Sequence, residues 1–217
     1  LPKEIGKLKN MQYLMIANST IAELPEELGD CHALTDIEIY NCPNMTKFPM
    51  AMAKLPALIS INISNNKQWS AEELYKGLDA IAQGPAKKQI QLLYSRENSL
   101  EEVPESFKNM HSLSLLDLAY NKISKIHPLT KDVGLVQLYL DFNELESLPR
   151  DEEGYFCAYD DVETFSVIFN KLKKVPNIFS AKSKYTMSTV DFSGNEIDGF
   201  EDEEKSGKDG YQGLKVE

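Results

Sequence analysis

Histidine and cysteine are the side chains best suited to proton transfer, nucleophilic attack or metal ligation near neutral pH, and this 217-residue chain holds three of each. His32 and His111 share one offset, two residues ahead of Leu34 and Leu113, which predicts a surface turn and not a catalytic base. His127 belongs to no recognisable motif. Cys31, Cys42 and Cys157 have no metal-ligand spacing and form no even disulfide set. No nucleophile motif surrounds a serine or cysteine, and neither an H-E-x-x-H pair nor a phosphate-binding glycine loop occurs. Acidic clusters at Asp151 to Glu153 with Asp160 and Asp161, and at Glu201 to Glu204, read as solvated charge. Asp191 to Asp198 superficially resembles a calcium loop, but Phe192, Asn195 and Ile197 already serve the repeat described next. The chain is therefore assigned no catalytic, cofactor-binding or metal-binding residue, and no cofactor.

The conspicuous order lies elsewhere. Leu113 to Ile126 and Leu135 to Pro149 fit one template, L-x-x-L-x-L-x-x-N-x-L-x-x-L, with the asparagine at Asn121 and Asn143. Eight copies start near Met11, Leu34, Leu58, Ile90, Leu113, Leu135, Val162 and Met187, spaced 23, 24, 32, 23, 22, 27 and 25 residues apart. A fixed period near 23 with insertions means a stack of like units. Period-2 leucines predict a strand with one inward face. An inward amide just after the strand can satisfy backbone groups buried at the turn. A structural ladder is expected from Asn66, Asn98, Asn121, Asn143, Asn170 and Asn195, with Ser19 and Cys42 standing at the same position in the first two repeats. Cys31 falls in an apolar slot shared with Leu8, Leu55 and Met110, and Ser95 is a polar departure at an inward slot. Leu-Pro pairs, as at Leu24-Pro25 and Leu148-Pro149, fit the irregular return segments, because proline cannot donate to a sheet.

The longest insertion carries a helix signal across 70–83. Ser70 and Glu73 form a capping box, Trp69 and Leu74 a hydrophobic staple, and Leu74, Leu78 and Ile81 share one face. Gly84-Pro85 stops it. Its expected task is to cover the core where an ordinary return segment is missing.

A net charge of −11 and a pI near 4.8 argue against nucleic acid as a partner, since binding there needs cations against phosphates. No run approaches the roughly 18–20 apolar residues of a membrane span. The chain reads as a single repeat domain over 1–217, cut from a longer protein: it opens at Leu1-Pro2 within a repeat, and Gly210 to Glu217 resembles the approach to another. Oligomeric state is not encoded legibly.

The blanks of the template face outward. They include Tyr13, Met15, Asp36, Glu38, Ser60, Asn62, Arg96, Gln137, Ile168 and Asp191, and the candidate partner-binding set Tyr40, Leu92, Tyr94, Leu115, Asp117, Tyr120, Tyr139, Asp141 and Phe142. Tyr120, Phe142 and Phe169, each one residue before an asparagine, are expected to stack along the rim. Tyrosines among carboxylates suit protein recognition, with large contact area at low entropy cost; Asp117 and Asp141 favour a basic partner.

On these residues the chain resembles the leucine-rich repeat superfamily over essentially its whole length. The segments Tyr40 to Met45 and Val175 to Ser183 and the irregular insertions resemble, more narrowly, large surface or secreted leucine-rich repeat proteins of Bacteroides-type bacteria. The resemblance implies a right-handed α/β horseshoe with a parallel sheet on its concave face, and an extracellular or cell-surface, non-catalytic protein that binds a macromolecular partner. Two alternatives stand beside that reading: the targeting arm of a larger, cytoplasmic or exported enzyme whose catalytic domain lies elsewhere, and a purely structural spacer.

Overall fold

Among the described residues eight short strands lie side by side in chain order, every neighbouring pair parallel, in one open sheet. They are β1 (Tyr13–Ala17), β2 (Asp36–Tyr40), β3 (Ser60–Asn62), β4 (Leu92–Tyr94), β5 (Leu115–Asp117), β6 (Gln137–Tyr139), β7 (Thr164–Ser166) and β8 (Thr189–Asp191). This computed structural model describes residues 1–129, 133–150, 162–175 and 188–199. Cys157, the acidic clusters at 151–153, 160–161 and 201–204, the repeat start at Met187 and the segment 176–183 lie outside the described residues.

Burial follows the period of two. On β2, Ile37 and Ile39 are fully buried while Asp36, Glu38 and Tyr40 are half-buried. Equivalent residues of each repeat stack in register, so that Ile37, Ile61, Leu93, Leu116, Leu138 and Phe165 form one continuous inner row. Among the described residues four 3-10 turns, Lys3–Lys7, Glu26–Asp30, Met50–Lys54 and Glu105–Asn109, line the opposite layer, each with a proline (Pro2, Pro25, Pro49, Pro104) at its N-cap. A helical N-terminus leaves N–H groups without intrahelical partners, so proline's missing donor costs little there.

In the third repeat that layer gains α1 (Ala71–Gln83). Ser70 caps it, accepting from the Glu73 amide at 3.1 Å, and Trp69 and Leu74 are both buried. The capping box is only half formed. The Glu73 carboxylate accepts instead from the amide of Phe48 at 3.3 Å, a donor supplied by the neighbouring repeat. Gly84 ends the helix in an extended conformation and not a left-handed one, as the proline after it requires. Gly77 lets α1 close onto the repeat before it, since a Cβ there would lie 2.3 Å from the Phe48 ring.

The asparagines form the expected ladder. Asn143 donates to Leu118 O and Leu140 O at 3.0 Å each and accepts from Ile123 N at 2.8 Å. Asn121, Asn170 and Asn195 repeat the pattern: each amide bonds a carbonyl of its own repeat, a carbonyl of the preceding repeat, and an N–H of the preceding repeat. Asn66 takes its N–H from Cys42. Asn98 bonds the Ser95 hydroxyl at 2.9 Å, which gives that buried polar side chain its partner. Cys42 is buried at the ladder position with its thiol 3.5 Å from the Ile16 and Tyr40 carbonyls, and Cys31 is buried with its thiol on Ile5 O. Burial pushes both thiols above their ordinary pKa, so they act as packed donors and not as nucleophiles.

Asn143→Leu leaves the buried Ile123 amide without its acceptor and takes from Leu118 O and Leu140 O one of the two asparagine donors each has, at about 1–3 kcal/mol for the buried group left unpaired. Asn62→Leu removes a half-exposed side chain that caps the Ser64 amide at 3.1 Å. Thermal denaturation is expected to show a much larger loss for Asn143→Leu; equal melting shifts would contradict the ladder.

Candidate protein-binding face

The sheet's outer face is a grid set by strand register. One row runs Asp36, Ser60, Leu92, Leu115, Gln137, Thr164 and the next runs Glu38, Asn62, Tyr94, Asp117, Tyr139, Ser166. Leu92 and Leu115 are therefore direct neighbours, and Tyr94 and Tyr139 flank Asp117. All four apolar or aromatic side chains are half-buried, and strands about 4.8 Å apart bring them into one patch. Tyr40 is also half-buried but stands at the end of β2, separated from this patch by β3.

The two acids expected to meet a basic partner are engaged elsewhere. Asp117 is 5% exposed; its carboxylate takes the Arg96 guanidinium at 2.9 Å and the Ala119 amide at 3.1 Å. Asp141 is half-buried and accepts from the Ser166 hydroxyl at 2.5 Å and the Ile168 amide at 2.9 Å. Asp117 closes its own turn and Asp141 ties its strand end to that of the next repeat, each through charge-assisted hydrogen bonds. Burial alone would depress the Arg96 pKa; the hydrogen bond and charge of Asp117 outweigh it and raise the value. The more available negative charge lies on β2. Asp36 and Glu38 are half-buried like Asp141, but they accept from the neutral hydroxyls of Thr35 (2.6 Å) and Tyr13 (3.0 Å) and from no backbone amide of a neighbouring turn among the described residues. The Glu38 hydrogen bond holds the Tyr13 phenol above its ordinary pKa.

Tyr120 and Phe142 lie beside the grid on the rim, 43% and 38% exposed. With Phe169 they form the expected stack, at centroid separations of 4.3 and 4.8 Å. All three have positive φ, as does the residue before the ladder position in every other repeat: Asn18, Asn41, Asn65, Glu97 and Gly194. That row was not read as left-handed from the sequence, although its first three members are asparagine, the non-glycine residue most at ease there. Thr164, Ser166 and Thr189 also belong to the face; the template offset that located Tyr139 locates them equally, and only their plain chemistry hid them.

His32 and His111 are exposed, and His127 rests 2.7 Å from the Glu102 carboxylate. Among the described residues no group of three or more His, Cys, Asp or Glu side chains is arranged to hold a metal ion, and no helix is long and apolar enough to cross a membrane.

No protein-family model matches the chain. A leucine-rich repeat protein of Bacteroides thetaiotaomicron is 36% identical and superposes with a TM-score of 0.75, over 90% of this chain and 26% of that one. A second, from Bacteroides eggerthii, is 33% identical with a TM-score of 0.78, over 90% and 35% of the two chains. The chain belongs to the leucine-rich repeat proteins. Podocan-like protein 1 of Homo sapiens is 28% identical across 182 residues, 81% of this chain and 33% of that protein. This leucine-rich repeat chain thus spans a quarter to about a third of the length of these relatives. The Arabidopsis receptor kinase HAESA, solved in complex with a peptide hormone and a co-receptor, shares the fold alone, at 17% identity and a TM-score of 0.67, over 90% of this chain and 32% of that one.

The reassigned acids make a direct prediction. Asp117→Ala removes a buried acceptor from Arg96 and the Ala119 amide and is expected to cost about 1–3 kcal/mol. Asp36→Ala, on the open part of the face, should stay within about 0.5 kcal/mol of the parent. Urea denaturation of the two variants distinguishes these roles.

Proposed function

We propose that this leucine-rich repeat chain is a non-catalytic interaction module that holds a segment of a protein partner against its concave sheet, and that it works outside the bacterial cell. The observation that carries the reading is the patch of Leu92, Tyr94, Leu115 and Tyr139, four half-buried apolar or aromatic side chains on three adjacent strands. Such side chains give contact area at little entropic cost, and recognition energy concentrates in a few of them. Leucine-rich repeat proteins are generally interaction modules, and HAESA, alike in fold, binds a peptide. Likeness to the Bacteroides proteins supports a bacterial setting.

The partner is basic where it passes β2. With Asp117 and Asp141 committed internally, Asp36 and Glu38 supply the attraction, and Tyr40 borders it. Charge of this kind mainly accelerates encounter and sets orientation. The patch supplies the hold.

A photocrosslinking amino acid at position 94 or 139 of the full-length protein is expected to trap a discrete partner from host or bacterial surface proteins, and one at position 72, on the outer side of α1, is not. Leu92→Ser with Leu115→Ser should abolish the adduct, and Asp36→Asn with Glu38→Gln should slow its formation and reduce its sensitivity to salt. Equal adducts from position 72, or none from any position, would favour a spacer. Protease digestion of intact cells tests the location: an exported protein is cleaved without lysis.

A further inference from the structure

The three rim aromatics stand where the backbone does not favour them. Tyr120, Phe142 and Phe169 have φ of 57, 53 and 49°, the left-handed region that a side chain with a Cβ enters only at a cost and that asparagine tolerates best after glycine. The same turn is made by Asn18, Asn41 and Asn65 in the first three repeats and by Gly194 in the last. Two ring stacks return only part of what three such turns cost. Stability alone therefore does not select rings over asparagine at these positions, yet three consecutive repeats carry rings that remain 43, 38 and 54% exposed.

How they are exposed restricts what they can take. The Arg96 guanidinium covers one face of Tyr120, 5.4 Å from its centroid. Tyr120 and Phe169 cover the two faces of Phe142, with interplanar angles of 10° and 26°. Gly194 lies against Phe169 so closely that a Cβ there would be 2.5 Å from the ring. With the faces covered, the column reaches solvent chiefly through ring edges. A sugar or a nucleobase needs an open face to stack on and finds Tyr120 and Phe142 sandwiched. The Arg96 charge at one end of the column is already paired with Asp117; ring edges carry the positive end of the aromatic quadrupole. Their complement is the electron-rich face of another aromatic ring, met edge to face.

We propose that the column Tyr120, Phe142, Phe169 is an anchor for an aromatic side chain of the protein partner, taken edge to face where the rim borders the concave sheet. This rests on the reading of that sheet as a protein-binding face. It spans two strand spacings, about 9.6 Å, which suits one or two such side chains.

The test uses the protein and a random dodecapeptide phage library. Tyr120→Asn, Phe142→Asn and Phe169→Asn together install the residue that repeats one to three already carry in this backbone conformation, so the fold is expected to survive with a melting temperature within a few degrees of the parent. Peptides selected on the parent are expected to carry Phe, Tyr or Trp and to bind the triple variant at least tenfold more weakly. Phe142→Leu, which keeps apolar bulk and the strained turn but removes the central ring, should weaken them too and serves if the triple variant unfolds. Selected peptides without aromatic residues, or binding unchanged in both variants, overturn the anchor. If those same peptides are lost on Tyr94→Ser with Tyr139→Ser, the concave-face reading stands without the anchor. If they are indifferent to all of these substitutions, or if no peptide is selected, both readings fall.

Discussion

Where each strand ends, the chain turns under the sheet and carries peptide groups into a layer that water does not reach. A buried carbonyl or amide without a partner costs more than a typical hydrogen bond returns. One asparagine per turn resolves this, since its side chain offers two donors and an acceptor at a fixed geometry. The bonds of Asn121, Asn143, Asn170 and Asn195 each cross to the preceding repeat. They therefore also set the spacing and register of the strands, and everything on the outer face inherits its position from them. Cys42 and Ser95 mark how far the rule bends: a thiol takes the ladder place near two carbonyls, and a buried hydroxyl is matched by the next asparagine along.

The turn has a second consequence. Placing the asparagine inward forces the residue before it to positive φ, and a row of such residues runs along one rim. That row is freest to vary, because its side chains point away from both core and ladder. It holds asparagines at one end, aromatics towards the other, and glycine where the last ring needs room. The stack is thus a by-product of a backbone constraint, and its ring edges are what the constraint leaves exposed.

Charge on the face is distributed less evenly than composition suggests. Five acids, Asp36, Glu38, Asp117, Asp141 and Asp191, stand against Arg96 along the grid and its border. Asp117, Asp141 and Asp191 bond amides and hydroxyls of their own or neighbouring turns. The carboxylates on β2 are left to attract, and the half-buried patch on β4 to β6 is left to hold. These two tasks lie about 10 Å apart, two strand spacings.

The repeat, its eight strands, the inward leucines and the ladder were legible in the sequence because each is a local pattern: alternation with period two, an asparagine at a fixed offset, recurrence near 23 residues. The rim stack was legible too, since Tyr120, Phe142 and Phe169 hold one template position. What escaped depended on partners distant in the chain. Asp117 meets Arg96 across 21 residues, Asp141 meets Ser166 across 25, and Glu73 leaves its capping box for the amide of Phe48, also 25 away. The sequence by itself determined which residues point outward. Only the tertiary structure decided which of those are already satisfied by a neighbour and which remain available to a partner, because a carboxylate's bonds are set by the donors within about 3 Å of it in space, and one repeat's donors come from the next.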